Sequence, residues 1–265
     1  MVGENGVHDE NVPEHSKEEP GQQVMPFYFL CDVSESMRWH GDIGRVNNLL
    51  QALCNEISSA PTLDDVARIG LLTFSDECRV IDLSNGRNPG LALEQPTNIK
   101  LSPLSAEGTT QFGKAFRTLA STIEKDVDEL ARRRLKIFRS CVFFLTDGEA
   151  SDSGWRQVFT DTLTYDLNTG RGMARHPIFC TMGFRDAREE DMSWLAYPPT
   201  KGKYYYSRDV DTAQVLKDMF GVILHTIVAS GQSATTPSPG HIIIDPPKES
   251  TVVSGNSTYD PLYVT

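Results

Sequence analysis

The sequence has no CxxC pair among its five cysteines, no glycine-rich GxxxxGK[ST] phosphate loop and no uninterrupted apolar stretch approaching the length of a membrane span. Each absence excludes something. Cys31, Cys54, Cys78, Cys141 and Cys180 are scattered, most of them inside apolar runs, and read as buried free thiols of a reducing compartment rather than a disulfide or zinc framework. Without about 18 consecutive apolar residues no membrane-spanning helix is readable. Without the phosphate loop, nucleotide binding of the P-loop kind has no motif to stand on. Positive charge is also scarce. Lys and Arg number 25 against 36 Asp and Glu, a formal net charge of -11. That speaks against nucleic acid or an anionic membrane as partner, because phosphate binding runs on clustered cations. The first 20 residues are polar and acidic, unlike a signal peptide, so the cytoplasm is the expected location.

What is present is an ordinary globular composition, 39% hydrophobic, arranged in three stretches. Residues 1–22 have little aliphatic density and many acids, and are expected to form a flexible arm. Residues 23–230 alternate strand-like and helix-like patterns. Strands are expected at 24–32, 67–75, 78–84, 138–147, 176–184 and 203–207, and helices at 46–59, 110–130, 154–165, 189–196 and 211–229. The short turn between 67–75 and 78–84 makes those two a hairpin. This order predicts a doubly wound α/β domain, a mostly parallel six-stranded sheet with one antiparallel edge strand and helices on both faces. Residues 231–265 are a Ser/Thr/Pro-rich tail with one apolar run at 241–245. Either a strand of this tail docks on a sheet edge or is lent to a partner, or the tail is disordered.

In such sheets ligands bind beyond the carboxyl ends of the strands, where strand order reverses. Two predicted strands end in acids there. Asp32 opens Asp32-Val33-Ser34-Glu35-Ser36, and Asp147 stands in Leu145-Thr146-Asp147-Gly148-Glu149. Alternate residues of a tight loop can converge, so Asp32, Ser34 and Ser36 can share one point. The loop Gly108-Thr109-Thr110-Gln111-Phe112-Gly113, which opens the long helix, can add a hydroxyl. Two carboxylates and up to three hydroxyls make a hard, all-oxygen donor set. It suits Mg²⁺, or alternatively Mn²⁺ or Ca²⁺, better than zinc.

DxSxS after an apolar strand, a later GxT before a helix and LTDG after a second strand together resemble the metal-ion-dependent adhesion site of von Willebrand factor A domains, over about residues 24–230. The resemblance implies metal binding through Ser34, Ser36 and Thr110 directly, and through Asp32 and Asp147 directly or via water. Thr110 is preferred to Thr109 because Gly113 and Ala115 then match the family's spacing. It implies a protein-binding module, not an enzyme, whose cation is completed by a partner's Asp or Glu. Glu35, Arg38, Thr109 and Glu149 are candidate partner contacts. Glu35 stands where the family usually has glycine, and Gly108-Thr109 replaces a Gly-Gly pair.

The stretches PFYFLCDVSESM, LSPLSAEGTTQFGKAF, VFFLTDGEASD and FGVILHTIVASGQS are similar to the TerY-like bacterial subgroup of the tellurium-resistance and stress-response type. That likeness implies signalling beside a protein kinase or a PP2C-type phosphatase. Two rival readings stand beside it. One is a Mg²⁺- or Mn²⁺-dependent phosphohydrolase, which would have to draw its base or charge clamp from His40, Lys114 or Arg38. The other is an accessory subunit of an AAA+ ATPase. Glu149 and Asp152 are read as first-turn charges of the following helix, Trp155 and Trp194 as packing residues, and Tyr204-Tyr205-Tyr206 as an edge strand with an outward ring.

Overall fold

The computed structural model describes residues 19, 21–88, 90–209, 211–234, 242–244 and 252–259. The expected arm, except for Glu19, Gly21 and Gln22, lies outside them, as does most of the tail. Along the chain, β1 (Gln23–Asp32) leads into α1 (Ser36–Trp39), α2 (Asp42–Ser58) and α3 (Pro61–Val66). Next come β2 (Ala67–Phe74), β3 (Cys78–Ile81), a short 3-10 turn (Pro96–Asn98) and the long helix α4 (Phe112–Arg132). β4 (Lys136–Ile137), β5 (Cys141–Thr146) and α5 (Trp155–Leu163) follow, then the two-residue strands β6 (Tyr165–Asp166) and β7 (Arg171–Gly172). β8 (Ile178–Phe184), α6 (Glu189–Leu195), β9 (Lys203–Ser207), α7 (Thr212–Ala234) and β10 (Val253–Asn256) complete it.

The main sheet runs β10-β9-β8-β5-β1-β2-β3, with β4 beside the start of β1. The inner pairs are parallel, and β3 and β10 are antiparallel at the two edges. The expected doubly wound α/β fold is therefore present, with a second antiparallel edge strand supplied by the tail. That strand is Val253–Asn256; in the apolar run at 241–245 only 242–244 are described, and they are not in a strand. Of that run, Ile242 is buried and the Ile243 amide donates to Ser230 Oγ. Because β10 covers β9, the tyrosine strand is not an edge. Tyr205 and Tyr206 are buried, and the half-buried Tyr204 donates its hydroxyl to Glu189.

Side chains of a strand alternate across the sheet, and here both faces are apolar. Phe27, Phe29, Cys31, Cys141, Phe143 and Leu145 join the core beneath α2 and α7. Tyr28, Leu30, Val142 and Phe144 join the opposite core beneath α4 and α5. Phe144 sits in an aromatic cluster with Phe74, Phe112, Phe116 and Phe179 at centroid distances of 5.0–6.0 Å. Trp155 and Trp194 pack edge to face at 5.7 Å, as packing residues should.

From β1 the chain builds outward through β2 to β3. It then returns to the other flank of β1 and builds through β5, β8 and β9. The strand order thus reverses between β1 and β5, the two strands whose carboxyl ends carry Asp32 and Asp147.

Candidate metal centre

Asp32 is the last residue of β1 and is fully buried. Its Oδ1 accepts the Ser34 amide at 2.8 Å, which tightens the turn after the strand. Its Oδ2 accepts the Thr146 hydroxyl at 2.6 Å from the end of β5. The turn brings Ser34 Oγ within 3.0 Å of Ser36 Oγ, and Ser36 Oγ donates to Asp147 Oδ1 at 2.8 Å. Asp32, Ser34, Ser36 and Asp147 therefore form one connected rim across the switch point.

The third loop is tied to the other two by backbone bonds. The Glu35 amide donates to Gly108 O, Glu107 to Val33 O, and Ser151 to Thr110 O. Ser151 Oγ in turn accepts the Thr110 amide. The two threonines face different ways. Thr109 is exposed and spends both its amide and its hydroxyl on Asp76 Oδ1, at 2.9 and 2.6 Å. Thr110 is buried, and its Oγ1 lies 3.9 Å from where a Cβ on Gly148 would sit. The Thr110 hydroxyl makes no hydrogen bond among the described residues. Of the two threonines, Thr110 is the one whose hydroxyl lies near Gly148, the residue after Asp147. Two glycines make the loop possible. Gly108 has φ +78, and its missing Cβ would sit 2.5 Å from Asp76 Oδ2. A Cβ on Gly113 would sit 2.7 Å from Asp152 Oδ2.

Asp152 is not a first-turn charge of its own helix. α5 begins only at Trp155, after Gly154 in the left-handed region. The Asp152 carboxylate reaches across to cap α4, accepting the Phe112 and Gly113 amides at 2.8 and 2.9 Å. Glu149 likewise precedes α5 and stands exposed in the loop. Glu35 faces solvent in a surface ion pair with Arg38 at 3.5 Å, an arrangement worth little energetically. Lys114 is engaged with Asp76 O and the Glu77 carboxylate, and His40 is exposed beyond the end of α1.

Sequence reasoning missed Thr146, although it precedes Asp147 in the motif itself. It also missed a buried support behind the rim. Asp42 accepts from Arg45 at 2.7 Å, Arg185 Nε at 2.6 Å and Thr212 Oγ1 at 2.7 Å. Arg185 has φ +53, and the next amide, that of Asp186, donates to Asp147 O at 2.9 Å. No local sequence signal marks that network.

Electrostatically the rim asks for a cation. Burial pushes the Asp32 carboxyl up to about 7; the Thr146 and Ser34 hydrogen bonds oppose the rise and the nearby Asp147 adds to it. Burial likewise raises Asp147, opposed by the Ser36 bond and supported by Asp42. Asp147 Oδ2 is buried with no hydrogen-bond partner among the described residues. A buried acceptor left unmatched costs on the order of 1–3 kcal/mol, more when charged, so such an atom calls for a ligand. The donors available, two carboxylates and the hydroxyls of Ser34, Ser36 and Thr110, fit a hard divalent cation. Among the described residues no group of three or more His, Cys, Asp or Glu gathers as a metal site. The softer ligand sets therefore have no counterpart there.

Comparison with known proteins bears on the fold and the family. A family profile described as the von Willebrand factor type A domain matches residues 27–221. No curated protein matches the chain significantly. Solved structures with the same fold include a von Willebrand factor type A protein from Catenulispora acidiphila, at 15% identity and TM-score 0.53, covering 78% of this chain and 43% of that one. Another is proximal thread matrix protein 1 of the mussel byssus, at 10% identity and TM-score 0.52, covering 80% and 49%. A third is the pilus adhesin SpaC of Lactobacillus rhamnosus GG in its open conformation, at 12% identity and TM-score 0.52, covering 79% and 31%. The chain spans less than half the length of each. At these identities the likeness is one of fold, and the profile match over most of the described chain carries the assignment: the protein belongs to the von Willebrand factor type A domain family.

Proposed function

We propose that the domain holds a divalent cation, Mg²⁺ or alternatively Mn²⁺ or Ca²⁺, at Asp32, Ser34, Ser36, Thr110 and Asp147, and that it uses the cation to bind an Asp or Glu of another protein. The observation that carries this reading is the buried, unpartnered Asp147 Oδ2, on a rim where two acids resist ionisation. A hard cation bound there supplies a strong charge with coordination positions open to an outside carboxylate. The protein's own part is orientation. Asp32 and Thr146 fix the Ser34 turn, Ser36 aligns Asp147, and Ser151 with Gly108 sets Thr110.

A phosphohydrolase needs a base or charge clamp beside the cation, and among the described residues no side-chain hydrogen bond or ion pair ties Lys114, Arg38 or His40 to the five rim residues. Lys114 pairs with Glu77, Arg38 pairs with Glu35, and His40 points to solvent. We therefore favour a binding module over an enzyme. Five unpaired thiols suit a reducing cytoplasm. A kinase, a PP2C-type phosphatase or an AAA+ ATPase as the partner rests on sequence likeness alone, as does the tellurium-resistance and stress-response setting. Isothermal titration of Mg²⁺, Mn²⁺ and Ca²⁺ into wild type and Asp147→Ala tests the site. Cation binding lost in the variant, with the fold intact by circular dichroism, is the expected result. Equal binding in both refutes the assignment.

A further inference from the structure

The surroundings of the rim indicate what kind of segment carries the partner's acid. Trp39 is 68% exposed and is the one exposed large aromatic among the described residues. It stands three residues after Ser36 on α1, hence on the same side of that turn, while Met37 faces the core. In a helix the Cα–Cβ bonds tilt toward the N-terminus, so Trp39 leaves the backbone on the side of the Ser36 turn. An exposed tryptophan costs solvation free energy unless something covers it, and tryptophan is among the residues that dominate protein interfaces.

The charges around the rim give the covering surface its sign. Glu35, Asp76, Glu107, Glu149 and Asp186 are all exposed on the loops that frame the rim. The cations nearby are already matched: Arg38 with Glu35, Arg79 with Glu107 and Lys114 with Glu77. Glu149 and Asp186 have no ion-pair partner among the described residues. Both flank Asp147, Glu149 two residues on and Asp186 through the hydrogen bond its backbone N–H donates to Asp147 O. A divalent cation would offset Asp32 and Asp147, which leaves the frame net negative. A bare acidic segment would be repelled there, since like charges set against each other across an interface cost several kcal/mol. The acid frame alone would not define a site. The buried, unpartnered Asp147 Oδ2, already assigned to the cation, marks the ligand position that the exposed Trp39 and the unmatched Glu149 and Asp186 adjoin in the chain and through the Asp186 amide.

We propose that the partner is a protein segment presenting its Asp or Glu between cationic side chains, one of which lies against the exposed face of Trp39. A cation over an indole face is favourable at exposed and more so at desolvated positions. The proposal rests on the metal-dependent reading above. It adds the chemistry of the partner.

Three fluorescein-labelled peptides test it on the full chain with excess Mg²⁺, read by fluorescence polarisation. They are Gly-Lys-Gly-Asp-Gly-Lys-Gly, its analogue with both lysines replaced by glutamate, and its analogue with the aspartate replaced by asparagine. Mn²⁺ affinity is measured separately by water proton relaxation. The lysine-flanked peptide should bind roughly tenfold or more tighter than the glutamate-flanked one, and the asparagine peptide should lose its Mg²⁺-dependent binding. Trp39→Ala should weaken the lysine-flanked peptide about three- to tenfold and leave Mn²⁺ affinity unchanged. Several results overturn the inference while the metal site stands: Mn²⁺ bound but no Mg²⁺-dependent binding of the lysine-flanked peptide, equal or tighter binding of the glutamate-flanked peptide, or no effect of Trp39→Ala. Absence of Mn²⁺ binding in the wild type overturns the metal reading itself, and this inference with it.

Discussion

Thr110→Val separates the folding role of the rim from its proposed binding role. In the structure Thr110 is a buried residue whose hydroxyl makes no hydrogen bond among the described residues, while the Thr110 backbone holds the loop through Ser151. Exchanging that hydroxyl for a methyl leaves the backbone bonds in place and removes no hydrogen bond within the described residues. Without metal, the variant should be as stable as wild type within about 0.5 kcal/mol, or slightly more stable. With metal the balance changes. A hydroxyl bound to a charged centre contributes about 1.5–3 kcal/mol, so its loss should weaken cation affinity roughly 10- to 100-fold. At a Mg²⁺ concentration of about 100 Kd the wild type gains roughly 2.7 kcal/mol from linkage. A roughly 30-fold weaker site gains only about 0.9 kcal/mol at that concentration. For a domain of this size the Mg²⁺-dependent rise in Tm should fall from about 5–10 °C to about 2–4 °C. Differential scanning calorimetry in EDTA and in Mg²⁺ measures both numbers. An unchanged Mg²⁺ shift refutes the reasoning, and so does a metal-free loss of Tm as large as the missing shift.

Two further perturbations probe the frame. Burial holds the Asp126 carboxyl up at about 6, against the usual 3.8, although Ala92 N and Tyr28 OH both donate to it. A raised carboxyl favours the fold below its unfolded value and loses that contribution as pH rises through about 6. Chemical denaturation should therefore show the stability of wild type relative to Asp126→Asn declining by on the order of 3 kcal/mol between about pH 4 and 7, and a flat difference contradicts the assignment. Gly108→Ala forces an L-residue to φ +78 and crowds Asp76. Urea unfolding should show a loss of roughly 1–2 kcal/mol together with weaker Mg²⁺ binding, and a neutral result would mean that the turn is not constrained.

Legibility in the sequence followed side-chain signal. β1 and β5 are buried on both faces, so their apolar runs announce them and their terminal acids mark the switch point. α4 shows its stripe of Phe112, Phe116, Leu119, Ile123 and Val127 because one face is buried over 21 residues. α1, β4 and the β6–β7 pair are two to four residues long, too short for any period to show. β10 reads Val-Ser-Gly-Asn and owes its place to backbone pairing with β9, so the apolar stretch at 241–245 was the more visible and less accurate guide.

The rim itself was readable because Asp32, Ser34, Ser36 and Asp147 sit directly at strand ends. Its supports were not. Asp42 is 143 residues from Arg185 and 170 from Thr212, and only the fold brings them together. Asp152 was misplaced because the left-handed Gly154 delays α5 and frees the carboxylate to cap a different helix.

The most direct test of the metal site is anomalous diffraction from a crystal grown in Mn²⁺. One strong peak is expected within coordination distance of Ser34, Ser36 and Thr110, with Asp32 and Asp147 alongside. Ordered Mn²⁺ elsewhere on the molecule, with none at this rim, would contradict it.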